Sequence, residues 1–154
     1  MPTLYLLVGI PGSGKSTWVK EYQFQSDVAH VSSDYFIEEY ADLHSTTYSS
    51  VFAEYAPIAN KLMFDEALEA VRQGLDIVWD QTNTTISTRR KKIAMCTGYK
   101  KIAVVFKTPK PKDLINRLGS RPGKVIPDSV IKQMIESYQE PTKSEGFDDI
   151  WFVN

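Results

Sequence analysis

A glycine-rich segment near the amino terminus contains residue types that bind phosphate. Residues 9–16 read GIPGSGKS and match the pattern G-x-x-x-x-G-K-[ST] in full. Glycine lets the backbone N–H groups of such a loop wrap around a polyanion, because it admits positive φ and carries no Cβ. The segment predicts a site for a nucleoside triphosphate, with Lys15 on the outer phosphates and Ser16 as a ligand of Mg²⁺. The predicted ATP-binding residues in this segment are Gly9, Pro11, Gly12, Ser13, Gly14, Lys15, Ser16 and Thr17.

Two carboxylates follow apolar segments that resemble buried strands. Asp34 comes after residues 28–33, and Asp80 comes after residues 75–79. Ligands of parallel sheets lie at the carboxyl ends of the strands, so both positions face the predicted nucleotide. Asp34 is a candidate general base for an attacking hydroxyl, and its alternative role is to cap a helix beginning at Tyr35. Asp80 is a candidate for orienting Mg²⁺, and its alternative role is to cap a turn.

Arginines late in the chain are candidates for a lid over the triphosphate. Arg117 and Arg121 are followed by Gly123 and Lys124, a sequence typical of a flexible segment. The planar guanidinium suits charge that spreads over the phosphoryl oxygens, and a closed lid excludes water. We predict that Arg117 and Arg121 bind ATP and that Arg121 is catalytic, the alternative being that both serve solubility.

A cationic run, residues 89–92, begins a helix after the third predicted strand. Such a run is most often a solvated helix face. It is also the best candidate in the sequence for contacting an anionic acceptor or a nucleic-acid backbone, through Arg89 and Arg90. His30 and His44 have no evident partners in the sequence, and no function is assigned to them.

These residues require a sheet with helices on both faces. Apolar runs predict five strands, and the segments between them predict helices, which indicates βαβ crossovers and a parallel sheet. The predicted strands are residues 3–10, 28–32, 75–79, 101–107 and 149–153. The predicted helices are residues 15–24, 48–73, 87–97, 112–118 and 127–138.

Periodicity and composition suggest which parts pack and which move. In the longest predicted helix a stripe spaced at three and four residues predicts the core-facing side. The stripe consists of Phe52, Ile58, Leu62, Met63, Ala67, Leu68 and Val71. Residues 34–55 and 117–127 are the least regular, and we expect them to be the mobile elements.

The overall composition limits the class of protein. A length of 154 residues with 42% hydrophobic residues predicts one domain, residues 1–154. The net charge of −1 gives no global attraction for nucleic acid, so such a partner would need a local basic patch. The lone Cys96 and the lack of a long apolar run favour an intracellular protein outside the membrane.

With these residues in place, the chain resembles the kinase domain of the phage polynucleotide kinase family along nearly its whole length. The matching segments, in order, are GIPGSGKSTW, the SSD ending at Asp34, WDQTN with Arg89 and Arg90 after it, and NRLGSRPGKVIP. The resemblance implies a P-loop kinase fold with five parallel strands and a short arginine-bearing lid. It also implies ATP as donor, Mg²⁺ as cofactor, a nucleic-acid 5′-hydroxyl as acceptor, and the cytoplasm as location, in an infected host if a phage encodes the chain.

The resemblance assigns roles by position and shows one departure. Lys15, Ser16, Asp34 and Arg121 match the family's phosphate lysine, metal-ligand hydroxyl, general base and lid arginine. The family's phage enzyme carries an acceptor-binding arginine three residues after the base, where this chain has Ile37. Two alternative acceptors therefore stay open, a hydroxymethylated base in phage-type DNA and a nucleoside or other small molecule. A nucleotide-dependent switch is disfavoured because the sequence lacks NKxD and DxxG motifs.

Overall fold

A computed structural model describes residues 1–153 as an α/β fold. The five strands are β1 (Thr3–Val8), β2 (Val28–Val31), β3 (Asp76–Trp79), β4 (Lys100–Phe106) and β5 (Asp149–Val153). The six α-helices are α1 (Lys15–Glu21), α2 (Ser33–Leu43), α3 (Tyr48–Gln73), α4 (Ile86–Met95), α5 (Pro111–Gly119) and α6 (Asp128–Ser137). A short 3₁₀ helix, Lys143–Glu145, precedes β5.

The strands form one parallel sheet in the order β2-β3-β1-β4-β5, as the alternation of strands and helices predicted. β1 lies at the centre, and four of its side chains, those of Leu4, Leu6, Leu7 and Val8, are inaccessible to solvent. The register pairs Leu6 with Trp79 and Val31 with Trp79, so β1, β2 and β3 end at one edge of the sheet. The segments that follow these strands therefore meet at that edge.

The long helix α3 has the predicted bounds but a different buried stripe. Its buried residues are Val51, Ala59, Met63, Ala67 and Ala70. Met63 and Ala67 confirm part of the predicted stripe. Phe52, Ile58 and Leu68 were also predicted to face the core, but they are 43–50% exposed. The small alanines face the neighbouring elements because they allow close approach, so the larger apolar side chains lie beside the contact rather than in it.

The segment expected to be least regular, residues 34–55, is instead helical through α2 and the start of α3. Ser32 caps α2 by accepting a hydrogen bond from the backbone N–H of Asp34, at 3.2 Å. Ile37 and Ala41, one helical turn apart, pack with Val51 and Ala59 of α3. The aromatic and acidic composition concealed α2, because its packing against α3 outweighs weak helix propensity.

The second expected irregular segment, residues 117–127, begins inside α5 and continues to the start of α6. α5 ends at Gly119, and residues 120–127 connect it to α6 without helix or strand structure. Cys96 is buried and unpaired, as a spectator thiol would be. Within residues 1–153, no helix combines the length and apolar character that a bilayer crossing requires.

Candidate active site

The loop between β1 and α1 is shaped by its glycines. Gly12 and Gly14 have φ values of +81° and +101°, a region that residues with a side chain rarely adopt. A Cβ on Gly9 would lie 2.5 Å from Ser13 Oγ and 2.9 Å from Phe106 Cβ. The loop therefore leads from the central strand into the N-terminus of α1 in a conformation that exposes backbone N–H groups.

Lys15 lies at the start of α1 and folds back over this loop. Its Nζ donates to the carbonyl oxygens of Gly9 and Ile10, at 2.8 Å and 2.9 Å. Burial lowers the pKa of Lys15 to about 8, opposed by the negative charge of Asp80. The ammonium thus waits on backbone acceptors that are weaker partners than a phosphate oxygen.

The loop also fits a triphosphate with its metal ion. Ser13 Oγ is buried among the described residues without a hydrogen-bond partner, and a phosphate oxygen would supply one. The hydroxyls of Ser16 and Thr17 line the same cleft as the Asp80 carboxylate. Ser16 and Asp80 offer the hard oxygen ligands that Mg²⁺ prefers, in a site where substrate phosphates and water complete the coordination.

Asp34 lies in the first turn of α2 and faces the cleft. Its Oδ1 accepts a hydrogen bond from the Tyr48 hydroxyl at 2.7 Å, and its Oδ2 lies 3.0 Å from Lys124 Nζ. The N-cap of α2 is Ser32, so the alternative in which Asp34 caps a helix at Tyr35 is wrong. The carboxylate therefore does not cap the helix, and it is oriented by the side chains of Tyr48 and Lys124.

Asp80 follows β3 and is oriented by a histidine to which the sequence assigned no function. His30 Nε2 lies 2.8 Å from Asp80 Oδ2, and His30 Nδ1 lies 2.8 Å from the Tyr35 hydroxyl. With the ring proton on Nε2, Tyr35 donates to the imidazole and the imidazole donates to Asp80. The sequence signal was a polar side chain near the end of a strand, two residues before Ser32.

The end of α5 and the segment that follows it extend across the cleft. Arg117 Nη1 donates to the carbonyl of Gly12 at 3.0 Å, which joins α5 to the glycine-rich loop. At the far end, Ser49 donates its backbone N–H to the carbonyl of Gly123, at 3.0 Å. Arg121 lines the cleft between these contacts, and its charge lowers the pKa of Lys15. We call residues 117–127 the lid.

The prediction that Arg89 contacts an acceptor is wrong. Its side chain is fully buried and forms a two-pronged ion pair with Glu145, at 2.8 Å and 3.1 Å. A guanidinium that is neutralised in the interior cannot reach a substrate. Arg90 is exposed on the same helix and is absent from the cleft lining within residues 1–153, so nothing brings it to the site.

Beneath the cleft, Arg89 belongs to a buried polar network around Asn83. Asn83 Nδ2 donates to the carbonyl of Leu7 at 2.8 Å, and Arg89 Nη1 donates to the carbonyl of Asn83 at 2.8 Å. Lys92 Nζ donates to Asn83 Oδ1, and burial lowers the pKa of Lys92 to about 7. This network holds the segment after β3 against β1, where Gly9 N–H also donates to the carbonyl of Thr82 at 2.9 Å.

The structure thus gathers most of the predicted residues around one cleft of about 2040 Å³. Lys15 and Ser16 line it from α1, Arg121 lines it from the lid, and Asp34 lines it from α2. Cationic side chains and an ionisable carboxylate thus share the cleft. Such an arrangement can hold a phosphoryl donor and deprotonate a hydroxyl acceptor in one space.

Comparison with known proteins places this architecture in a family. A model of the AAA domain family matches residues 4–141. The L-seryl-tRNA(Sec) kinase of Methanococcus maripaludis is 23% identical over 145 residues, covering 94% of this chain and 56% of the kinase. The chain therefore spans little more than half the length of that relative.

Solved structures share the fold at low sequence identity. A putative kinase from Chloroflexus aurantiacus superposes with a TM-score of 0.69 at 13% identity, covering 99% of this chain and 87% of the other. The Pnkp1/Rnl/Hen1 RNA repair complex contains a chain that superposes with a TM-score of 0.68 at 23% identity, covering 88% of this chain and 43% of the other. These similarities establish the α/β sheet fold.

Proposed function

Because the chain belongs to the AAA domain family, we propose that it is an ATP-dependent kinase that transfers the γ-phosphate to a hydroxyl group of nucleic acid. The observation that carries the proposal is the shared cleft, in which Asp34 faces the Lys15 loop. The tRNA-directed relative from Methanococcus maripaludis is itself a kinase.

In the proposed reaction the loop residues bind and orient the donor. Backbone N–H groups of the glycine-rich loop and the N-terminus of α1 hold the phosphates, and Lys15 exchanges its carbonyl partners for phosphate oxygens. Arg121 comes from the lid to neutralise charge on the transferred group. Ser16 and Asp80 would hold Mg²⁺, which would supply positive charge to the phosphates.

Asp34 acts on the acceptor in this proposal. Its carboxylate accepts the proton of the attacking hydroxyl and directs the oxygen in line with the γ-phosphorus. Tyr48 keeps Oδ1 in place through its 2.7 Å hydrogen bond, and Oδ2, which lies 3.0 Å from Lys124 Nζ, is the oxygen that accepts the proton in this proposal. The bond from the acceptor oxygen to phosphorus forms as the bond to the β-phosphate oxygen breaks, and ADP leaves.

The proposed acceptor is a polynucleotide 5′-hydroxyl. The solved RNA repair complex with the same fold and the tRNA-directed relative support a nucleic-acid acceptor. The cleft side formed by α2 and α3 also presents exposed aromatic rings, with Tyr35 49% and Phe52 46% accessible. Such rings provide stacking surfaces for bases without requiring a sequence.

A second candidate, in which the hydroxyl is not flanked by phosphate, is favoured by the charge of α2. Asp34, Glu38 and Asp42 are spaced at four residues and all line the cleft, so this face of the helix is acidic. Ile37, at the position where the phage polynucleotide kinase has its acceptor-binding arginine, is 1% exposed and faces α3. A hydroxymethylated base within DNA or a free nucleoside would present a hydroxyl to Asp34 without adjacent charge.

The test is transfer of labelled γ-phosphate from ATP with Mg²⁺ to three acceptors. These are a 5′-hydroxyl oligonucleotide, a 5′-blocked oligonucleotide with a hydroxymethylated base, and free nucleosides. Label on the first supports the proposal, and label confined to the second or third selects the second candidate. Asp34→Asn should abolish transfer while retaining ATP binding, and loss of ATP binding in that variant would contradict the role assigned to Asp34.

A further inference from the structure

We propose that Lys124, on the lid, is the residue that admits acceptors with a phosphate next to the reacting hydroxyl. The inference rests on the proposed function and names the substrate class that the same cleft accepts. It makes Lys124 a specificity-determining residue, delivered from the lid rather than from α2, where the phage enzyme has its arginine.

The ammonium of Lys124 is held in a defined position beside the base. Its Nζ lies 3.0 Å from Asp34 Oδ2, 3.6 Å from Glu38 Oε1 and 4.4 Å from the centre of the Tyr48 ring. The side chain is 17% exposed, whereas the Asp34 and Glu38 side chains are about half exposed. An ammonium has three donors, so it can keep Asp34 and still bind a phosphate oxygen.

The backbone around Lys124 is fixed to the same side of the cleft. Gly123 accepts from the Ser49 N–H at 3.0 Å, and Val125 N–H donates to Ser49 Oγ at 2.8 Å. Gly123 also packs against Thr47, which a Cβ at that position would approach to 3.0 Å. These contacts on both sides of Lys124 place its side chain over Asp34.

The other charges on this side of the cleft are negative. Among the described residues of α2, the α2–α3 connection and the start of α3, those lining the cleft include Asp34, Glu38 and Asp42 and neither lysine nor arginine. Lys15 and Arg117 are bonded to the glycine-rich loop, and Arg121 lies close enough to Lys15 and Tyr48 for its charge to act on both. Lys124 is the cation in direct contact with the carboxylates of α2.

This charge balance determines which acceptors bind. A 5′-terminal nucleotide carries a 3′-phosphate close to its 5′-hydroxyl, so placing the hydroxyl at Asp34 brings that phosphate near Glu38. Without Lys124 the two like charges would repel, whereas a nucleoside without phosphate would bind unaffected. Lys124 thus selects the anionic acceptor and places its hydroxyl at Asp34.

The experiment compares a nucleoside 3′-monophosphate with its parent nucleoside in wild type and variants. In Lys124→Gln we expect the KM for the 3′-monophosphate to rise about tenfold to a hundredfold, the range for losing a hydrogen bond to a charged group. The KM for the nucleoside and for ATP should stay near wild type, whereas kcat should fall with both acceptors because Lys124 also orients Asp34. Lys124→Arg should restore most of the loss, and Glu38→Gln should lower the KM for the 3′-monophosphate.

The matched control is Lys132→Gln, which removes an equal charge from an exposed position on α6. Equal losses of kcat/KM with both acceptors in Lys124→Gln would mean that Lys124 acts only through Asp34 and would overturn the inference. If wild type phosphorylates neither acceptor nor an oligonucleotide, the proposed function fails instead. Equilibrium binding of the 3′-monophosphate then decides for Lys124, because equal affinity in wild type and Lys124→Gln overturns its role.

Discussion

At the scale of single residues, three of the groups proposed for catalysis or metal binding are held in place by neighbouring groups. Lys15 rests on two loop carbonyls, Asp34 on Tyr48 and Lys124, and Asp80 on His30. Preorganisation of this kind lowers the cost of arranging charges during the reaction. The contacts of Lys15 and His30 can be tested one at a time.

Nucleotide affinity should depend on pH through Lys15. The pKa of about 8 in the free protein would be raised by the bound triphosphate, so the charge contributes fully below pH 8. Above pH 8 binding must take up a proton, and the Kd for a non-hydrolysable ATP analogue with Mg²⁺ should rise up to about tenfold per pH unit. Calorimetry between pH 7 and 9.5 measures this slope.

The control for Lys15 is Lys15→Arg, whose guanidinium stays charged across that pH interval. Its affinity is expected to be weaker at every pH but to show no slope above pH 8. A wild-type profile parallel to that of Lys15→Arg would mean that Lys15 does not titrate on binding.

His30→Leu should weaken the metal site without unfolding the protein. Removing the imidazole leaves Asp80 without the hydrogen bond that orients it, and losses of an outer partner typically cost about 10–100-fold in metal affinity or activity. Binding of Mn²⁺ in the presence of the ATP analogue, followed by electron paramagnetic resonance, measures the effect directly. Tyr35→Phe should give a smaller change.

His44 serves as the control. It is exposed, and among the described residues its imidazole is hydrogen-bonded only to the Tyr40 carbonyl. His44→Leu should leave metal affinity unchanged. Equal metal affinities in the His30 and His44 variants would remove His30 from the site.

At the scale of elements, the lid and α2–α3 form one functional unit. The lid contacts the glycine-rich loop through Arg117 and the α2–α3 connection through Gly123 and Lys124. α2 supplies Asp34 from its first turn and is fixed by Ile37 and Ala41 against α3. The lid position is thereby coupled to the geometry of the base.

Gly123→Ala should impair the lid while sparing the fold. Gly123 has a φ of +69°, where a side chain costs about 1–2 kcal/mol, and its Cβ would press on Thr47. We expect kcat to fall about tenfold, the equivalent of about 1.4 kcal/mol, with little change in thermal stability. Gly119→Ala, where a Cβ would contact nothing within 4 Å, should retain wild-type kcat. Equal activity of the two variants would contradict a docked lid.

At the scale of the whole molecule, residues 139–145 bind the segment after β3, at the edge of the sheet that carries the site. Glu145 pairs with buried Arg89, and Gln139 accepts from the Ile86 N–H at 2.9 Å while donating its own N–H to the Thr84 carbonyl at 2.8 Å. These contacts close over the segment after β3 that carries Asp80. The stability of the fold and the position of Asp80 thus depend on the same interactions.

Glu145→Gln should destabilise the whole protein. It leaves the Arg89 charge buried without a counter-charge, which costs about 3–5 kcal/mol of the unfolding free energy. Urea denaturation measures the change. Asp65→Asn, which breaks the exposed Lys61–Asp65 pair, should cost less than about 0.5 kcal/mol. Similar losses in both variants would show that the Arg89 pair carries no special weight.

The sequence by itself determined the phosphate loop, the five parallel strands and the ends of α3. These features follow from local patterns, because GIPGSGKS specifies its own backbone shape and buried parallel strands need continuous apolar runs. The arginines and glycine of residues 117–123 predicted the lid, and the resemblance to polynucleotide kinases pointed to the arginine missing at Ile37.

Only the tertiary structure decided which charged side chains reach the cleft. Arg89 and Lys124 are both cations in polar segments of the sequence, yet Arg89 is buried against Glu145 and Lys124 reaches Asp34. His30 acquired a place at Asp80, and α2 replaced an expected irregular segment, through contacts with residues distant along the chain. Burial and pairing depend on the orientation of each helix and on such distant partners, and a local pattern contains neither.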